Sequence, residues 1–151
     1  MSIPISNSKF QLFFLKFNKL EELELLNLSP NLYLEIRIFE EINKLESVKY
    51  FKINLISCKN DIKFVFLAKN ISIPPNTIKF TLRLGTKLKF KIIDAILNRI
   101  RKKGLKFTFF GGDTRFTPEE YFYLFKKYPE VEISGPVQYG KVSSVQHQLV
   151  E

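Results

Sequence analysis

The stretch KKGLKFTFFGGDTRFTPEEYFYLFKKYP, residues Lys102–Pro129, decides the fold because it contains a strand, a turn and a helix in that order. Apolar residues alternate through GLKFTFF, which is typical of a half-buried strand, and Gly-Gly-Asp then marks a turn. Thr117, Pro118 and Glu120 form the pattern of a helix start, in which threonine caps the helix and glutamate closes a capping box. The lysine pair and the proline that end the stretch predict the end of the helix.

The strand in this stretch is one of five alternating segments that recur at a nearly constant interval. The segments are LEELELL, YFKINLI, TIKFTLRL, GLKFTFF and EVEIS, which align on Leu25, Ile53, Phe80, Phe107 and Ile133. The aligned residues lie 26 to 28 positions apart, and a repeat of that length is typical of solenoids. We therefore predict an α/β fold of about five mostly parallel strands joined by helical or extended return segments.

The return segments differ in kind. KLKFKIIDAILNRIRKKG predicts a helix, because Leu88, Ile92, Ile96 and Ile100 form one apolar stripe and the basic run Arg101–Lys103 favours the negative end of the helix dipole. DIKFVFLAKNISIPPN predicts an extended segment, since its two consecutive prolines exclude a helix at that point. LYLEIRIFEEINKLES alternates at first and has a helical pattern toward its end.

This arrangement resembles the leucine-rich repeat family, whose parallel strands stack along one face while helices or extended segments return on the other. LEELELL matches the family's L-x-x-L-x-L core with Leu20, Leu23 and Leu25. The equivalent apolar residues of later segments are Val48, Phe51, Ile53, Leu105, Phe107, Val131 and Ile133. Where the family has an Asn or Cys ladder, this chain has Leu28, Ile56, Arg83, Phe110 and Pro136. The resemblance spans residues 20–138 and implies a short solenoid that serves as a binding scaffold.

We expect one domain built from these units over residues 20–138, with an N-terminal cap over residues 1–19 and a C-terminal tail over residues 139–151. A compact mixed α+β domain is the alternative. INLISCKNDIKFVF and LELLNLSPNLYLEI each suit a β-hairpin, with turns at Lys59-Asn60 and Pro30-Asn31. Two hairpins would break the parallel stack, so the two architectures predict opposite strand directions.

The residue before each aligned strand position is expected to point outward on the open side of the sheet. These residues are Glu24, Lys52, Lys79, Lys106 and Glu132. Lysines at the strand spacing of ~4.8 Å repel one another unless an anion lies between them. We therefore predict that Lys52, Lys79 and Lys106, extended by Arg83, form a basic stripe that binds phosphate or an acidic peptide. A solvated lysine face is the alternative.

The composition narrows the classes of function. Lys and Arg number 24 against 15 Asp and Glu, and the resulting net charge of +9 favours anionic partners. Cys58 and His147 are the only residues of their types, which argues against an internal disulfide, a Cys/His metal cluster and a Ser-His-Asp triad. FFGGDT matches neither phosphate-binding loop motif, so we interpret it as a corner turn rather than as an anion site or a metal site using Asp113.

No apolar run reaches the roughly 20 residues of a membrane span, and the chain opens without a signal-peptide pattern. We therefore expect a soluble intracellular protein of the cytoplasm or an organelle matrix. We predict a non-catalytic binding or assembly subunit that docks a protein partner or larger complex through the basic sheet face. We expect no cofactor, no metal and no small-molecule substrate. The alternative is an RNA-contacting component of a ribonucleoprotein, such as an organellar ribosome.

Overall fold

The computed structural model describes residues 2–4, 19–26, 36–55, 61–112 and 114–137. Within these ranges strands and helices alternate along the chain. The strands are Ser2–Pro4 (β1), Glu22–Leu26 (β2), Tyr50–Leu55 (β3), Lys79–Leu84 (β4), Leu105–Gly111 (β5) and Val131–Ser134 (β6). The helices are Ile36–Ile42 (α1), Asp61–Asn70 (α2), Phe90–Ile100 (α3) and Pro118–Lys127 (α4).

The strands form one open sheet in which every neighbouring pair is parallel. Their order in the sheet, β1 to β6, is also their order in the chain. Parallel neighbours need a crossover connection, which α1 to α4 supply between β2 and β6. The predicted α/β fold with a parallel sheet is therefore confirmed. Ser2–Pro4 adds a strand from within the predicted N-terminal cap, and residues 139–151 lie outside the described residues.

The two-hairpin alternative is wrong. β2 pairs in parallel with β1 on one edge and with β3 on the other, so no edge remains for an antiparallel partner. The second strand of the other proposed hairpin is replaced by α2. The turn proposed at Pro30-Asn31 lies outside the described residues.

One side of the sheet carries the core. Inward side chains of the strands are buried together with apolar residues of all four helices, because alternate positions of a strand face opposite sides. Phenylalanines lie level on three neighbouring strands: the ring centroids of Phe51 and Phe80 are 5.5 Å apart, and those of Phe80 and Phe107 are 5.3 Å apart. Offset aromatic contacts at such distances are favourable, so part of the phenylalanine content serves the core.

The second return segment is helical where an extended segment was expected. Its buried residues Phe64, Leu67, Ala68 and Ile71 follow the i, i+3, i+4, i+7 spacing of an amphipathic helix. The consecutive prolines begin at Pro74, after α2 has ended at Asn70, so they terminate the segment without interrupting the helix.

The helices expected in the third and fourth return segments are present. α3 buries Ile93, Ile96, Leu97 and Ile100, so its buried face is wider than the predicted stripe. α4 has the predicted capping box: the Thr117 hydroxyl accepts from the Glu120 backbone N–H, and the Glu120 carboxylate accepts from the Thr117 backbone N–H.

The register between β3 and β4 differs from the predicted alignment. Ile53 lies level with Leu82, and Phe51 lies level with Phe80, whereas the constant interval placed Ile53 beside Phe80. The other strand pairs have the predicted register, including Leu25 beside Ile53. A shift of two residues keeps every inward side chain inward, so alternation alone cannot detect it.

A ladder of side-chain hydrogen bonds joins consecutive units at the amino ends of the strands. The Ser47 hydroxyl donates to the Leu20 carbonyl at 2.7 Å, and the Asn76 amide donates to the Glu46 carbonyl at 2.7 Å. The Lys102 ammonium donates to the carbonyls of Pro75 and Thr77 at 2.6 and 3.0 Å. We call this set the inter-unit ladder. It lies before the strands, whereas the family's Asn or Cys ladder would follow them.

Candidate functional site on the open face of the sheet

The side of the sheet opposite the core carries polar and charged side chains, and no described helix covers it. Its outward positions form three rows across the strands. The row nearest the amino ends contains Glu22, Tyr50, Lys79, Lys106 and Glu132. The middle row contains Glu24, Lys52, Thr81, Thr108 and Ser134. The row nearest the carboxyl ends contains Leu26, Asn54, Arg83 and Phe110.

The structure divides the predicted lysine row between two levels. Lys52 lies level with Glu24 and Thr81, and its ammonium is 3.3 Å from the Glu24 carboxylate. The prediction that Lys52, Lys79 and Lys106 form one row is therefore wrong. The two-residue register shift between β3 and β4 is the cause.

Lys79 and Lys106 do lie directly beside each other on β4 and β5. The Lys106 ammonium lies 4.0 Å from the Glu132 carboxylate, and both side chains are largely exposed, which makes this a weak ion pair. Within the described residues Lys79 makes no ion pair, and its other level neighbour is Tyr50. Lys79 is therefore the cation of this row that lacks a carboxylate.

Arg83 stands at the carboxyl end of β4 beside an exposed aromatic ring. Its guanidinium carbon is 4.9 Å from the centroid of the Phe110 ring, and both residues are exposed. Such a contact is a cation–π interaction, and it holds the guanidinium in place without neutralising its charge. The predicted site residue Arg83 therefore lies on the open face, one row from Thr81.

Short hydroxyl side chains line the middle of the face. Thr81, Thr108 and Ser134 lie level on β4, β5 and β6, and the Thr108 and Ser134 hydroxyls are 2.9 Å apart. These side chains are half-buried between the longer residues of the flanking rows. The face therefore has a polar floor between cationic sides.

A depression of about 380 Å³ opens on this face over β2, β3 and β4. Its lining side chains on the open face are Glu22, Glu24, Tyr50, Lys52, Lys79 and Thr81. Carboxylates stand on one side of it, and the Lys79 ammonium, which pairs with no carboxylate of the described chain, stands on the other. The depression therefore suits a side chain or a chain segment with polar groups rather than an apolar ligand.

A second group of cations, which the sequence pattern did not predict as a site, lies on the loops that follow β4 and β5. Lys87, Lys89 and Arg115 are exposed and make no ion pair within the described residues. The two loops are joined, because the Leu88 backbone N–H donates to the Thr114 hydroxyl. We call Arg83, Lys87, Lys89 and Arg115 the cationic rim. The alternation in KLKFK indicates that Lys87 and Lys89 are exposed. It does not indicate that their loop contacts the loop that carries Arg115.

The densest basic run of the sequence has structural partners. Arg101 pairs with the Glu130 carboxylate, and Lys102 belongs to the inter-unit ladder. Arg101 contacts residues 127 and 130, and Lys102 contacts residues 75 and 77. Their partners therefore extend beyond the carboxyl end of α3, where the helix dipole was expected to hold them. Lys103 is exposed without such a partner in the described chain. The interpretation of this run as structural therefore applies to Arg101 and Lys102, with different contacts from those expected.

Perturbed pKa values lie away from the open face. Burial, together with a hydrogen bond to Asp94, raises the pKa of Tyr128 to about 12. Burial also raises the pKa of Tyr121, whose hydroxyl donates to the Pro136 carbonyl. Both tyrosines are buried in the core around α4, so these shifts have a structural cause.

The described residues contain no group of three or more His, Cys, Asp or Glu side chains that could hold a metal ion. Asp113, Cys58 and His147 lie outside the described residues, and so does the metal site considered at Asp113. None of the four described helices combines the length and apolar character of a membrane span.

No family model, no curated protein and no solved structure matches the chain. The leucine-rich repeat resemblance accordingly stays a prediction.

Proposed function

We propose that this protein is a non-catalytic binding or assembly subunit whose open sheet face docks an acidic surface of a protein partner. The proposal depends on the side chains that project outward from β4. Lys79 and Arg83 project from it without a carboxylate partner in the described chain, and Thr81 lies between them. Two or more carboxylates of a partner lying along β4 would meet an ammonium, a hydroxyl and a guanidinium in turn.

The sorting of charges by strand supports an acidic protein segment of limited width. Outward carboxylates belong to β2 and β6, whereas the outward cations belong to β3, β4 and β5. Three strands at ~4.8 Å spacing give a cationic band on the order of 10–15 Å wide. Four residues of strand separate Lys79 from Arg83 by about 13 Å. A strand or one helical face lying along β4 fits these dimensions.

The scaffold is proposed to be a short leucine-rich-repeat-like solenoid. Strand order equal to chain order, level phenylalanines on successive strands and the inter-unit ladder support this proposal. Solenoids of this kind bind partners on an exposed sheet face. The Asn or Cys ladder of the family is replaced here by side chains that precede the strands.

Site-specific photo-cross-linking tests the docking face. A photoreactive phenylalanine analogue at Thr81 reports on the open face, and the same analogue at Val65, which is exposed on α2, is the matched control. We expect an adduct with one protein partner from position 81 and none from position 65. Lys79→Glu should weaken capture of that partner at least tenfold, which corresponds to about 1.4 kcal/mol.

Lys103→Glu is the charge-matched control for Lys79→Glu, because Lys103 also makes no ion pair with the described part of the chain but lies on a turn outside the face. Cross-linking only from position 65, or equal loss of capture in both lysine variants, would contradict a docking role for the sheet.

The second candidate function is that of an RNA-contacting component of a ribonucleoprotein. The specific observation in its favour is that exposed aromatic rings accompany the cations: Tyr50 lies level with Lys79, and Phe110 stacks on Arg83. Aromatic side chains beside cations are typical of surfaces that bind single-stranded RNA. A steep log-linear loss of affinity with rising salt would favour this candidate over a protein partner.

A further inference from the structure

The cationic rim gathers four cations that make no ion pair within the described residues at one end of two strands. Five other cations have carboxylate partners within 4.0 Å, Lys102 and Arg99 donate to backbone carbonyls, and exposed lysines on other elements, such as Lys69, Lys103 and Lys126, make no ion pair within the described residues either. At the rim, Arg83, Lys87, Lys89 and Arg115 make neither an ion pair nor such a hydrogen bond within the described residues. Four cations without counter-charges at one end of two strands give that end a positive potential.

The rim is built on tightly packed loops. Besides the bond from Leu88 to Thr114, the Gly112 backbone N–H donates to the Leu84 carbonyl at 3.3 Å, and the Thr114 backbone N–H donates to the Gly111 carbonyl at 2.7 Å. A Cβ atom at Gly111 would lie 2.7 Å from the Leu88 side chain. The backbone that carries the cations is therefore held in place, which lowers the entropy cost of binding an anion.

Carboxylates near the rim belong to the segment before α4, which contains Asp113 in the sequence, and to the first turn of α4. The first turn of α3 contains no acidic residue. Glu119 and Glu120 lie in the first turn of α4, and the Glu120 carboxylate is engaged by the Thr117 backbone. Asp113 lies outside the described residues.

The topology selects an extended ligand over a small one. In open parallel sheets, ligands bind at the carboxyl ends of the strands, in the crevice where the strand order reverses. This sheet runs from β1 to β6 without a reversal, so it has no such crevice. A rim of cations without a crevice suits a polymer that lies across it, and the exposed Phe110 ring on Arg83 favours a polymer with bases over an acidic peptide.

We propose that the cationic rim binds the phosphate backbone of single-stranded RNA, with Phe110 and Arg83 providing a stacking surface for one base. This inference rests on the second proposed function and specifies its site. It shares Arg83 with the proposed docking of an acidic protein on the sheet face, and its other cations, Lys87, Lys89 and Arg115, lie outside that face. Double-stranded RNA fits less well, because its paired bases are not available to Phe110.

The test measures binding of a fluorescein-labelled 15-nucleotide oligouridine to the full chain by anisotropy over a series of salt concentrations. The triple variant Lys87→Gln, Lys89→Gln, Arg115→Gln should bind at least tenfold more weakly at low salt. The slope of log affinity against log salt should become shallower by about 2, since each single-strand phosphate contact contributes ~0.7. Phe110→Ala should weaken binding about tenfold with little change in slope.

The matched control variant is Lys49→Gln, Lys69→Gln, Lys126→Gln, which removes the same net charge from exposed lysines away from the rim. It should retain affinity within about threefold, because contact charges outweigh net charge at moderate salt. Equal losses in both triple variants, absence of oligouridine binding by the wild-type chain, or equally tight binding of an oligoglutamate peptide would overturn the inference.

Circular dichroism confirms that each variant is folded, and if the triple variant is not, Arg115→Gln alone is measured for a slope change of about 0.7. A rim variant that loses RNA but still forms the adduct from position 81 separates this inference from the sheet-face proposal. If the wild-type chain binds RNA but forms no adduct from position 81, the sheet-face proposal alone is refuted.

Discussion

Gly135 follows β6 at a place where the core leaves no space for a side chain. A Cβ atom there would lie 2.6 Å from Cζ of Phe109 and 2.7 Å from the Tyr121 hydroxyl oxygen. Both rings are fully buried, and the Tyr121 hydroxyl is fixed by its bond to the Pro136 carbonyl. The neighbours therefore cannot move aside at low cost.

We expect Gly135→Ala to lower the free energy of unfolding by about 1–3 kcal/mol, the usual cost of overpacking a core. Urea denaturation gives the value. The exposed substitution Lys103→Ala is the control and should change stability by less than about 0.5 kcal/mol. An unchanged unfolding midpoint for Gly135→Ala would show that this close approach is absent in solution.

Arg101 and Glu130 give the fold a defined dependence on pH. The hydrogen bond from Arg101 is the main cause that lowers the pKa of Glu130 below its usual 4.5. A carboxylate with a lowered pKa in the folded state stabilises the fold above its ordinary pKa, and this contribution disappears as the pH falls through the folded value.

The stability difference between wild type and Glu130→Gln should therefore be greatest near pH 7 and should close on acidification below about pH 4. Urea midpoints measured at each pH test this expectation. Glu46→Gln is the control, because Glu46 is exposed and makes no ion pair among the described residues. A difference that stays constant with pH would mean that ionisation of Glu130 is not the cause.

Two adjacent lysines differ in their contacts: one forms hydrogen bonds within the fold, and the other is solvated. Lys102 donates to two carbonyls of the preceding unit, while Lys103 is exposed on the turn before Gly104. We expect Lys102→Met, which keeps the length of the side chain, to cost about 1–2 kcal/mol of stability. Lys103→Met should cost less than about 0.5 kcal/mol. Thermal unfolding of the two variants side by side would contradict the inter-unit ladder if their midpoints coincided.

Strand positions and inward faces were predictable, because alternation is a direct consequence of strand geometry. The five aligned segments all became strands, and Leu25, Phe80 and Phe107 are all fully buried. The capping box of α4 was predictable for a similar reason, since it depends on residues three positions apart.

α2 was missed because two patterns overlap in DIKFVFLAKN. Ile62, Phe64 and Phe66 alternate as in a strand, whereas Phe64, Leu67 and Ile71 follow a helical spacing. Parallel strands on either side require a crossover, and that long-range requirement favours the helix. The sequence of this segment alone does not reveal that requirement.

Register is the other quantity that local pattern could not supply. Alternation determines register only to within two residues, and the longer connection through Pro74-Pro75 shifts β4 by that amount relative to β3. The prediction that Lys52 lies in one row with Lys79 and Lys106 was wrong for this reason. The cationic rim was missed because it depends on contact between two loops that are distant in sequence.

Cross-linking distinguishes the two registers. In a Cys58→Ser background, the pair Lys52→Cys and Thr81→Cys would place two level cysteines ~5 Å apart, within the range of a disulfide. The pair Lys52→Cys and Lys79→Cys would be offset by two residues, about 8 Å, which exceeds that range. We expect mild oxidation to cross-link the first pair only, as seen by mobility on non-reducing gels. Efficient cross-linking of the second pair alone would restore the constant-interval alignment.

Over the described residues, the sheet has two edges and a protected centre. There β1 and β6 each have one strand neighbour, while β3, β4 and β5 are paired on both sides. Local opening is easiest where a strand has a single neighbour. We expect amide hydrogen exchange to be slowest in β4 and β5 and at least tenfold faster in β6. Uniform protection across the sheet would indicate that the whole sheet opens as one unit.

Strand order that equals chain order has a consequence for how this protein can change over evolutionary time. A tandem duplication of residues 78–104 would add a strand and a return helix beside their originals, and no other connection would need a new path. The duplicate would bring its own Lys79 and Arg83, so the cationic band would broaden by ~4.8 Å with each added copy. The size of the surface offered to a partner is thus an adjustable trait of the gene, separable from the stability of any one unit.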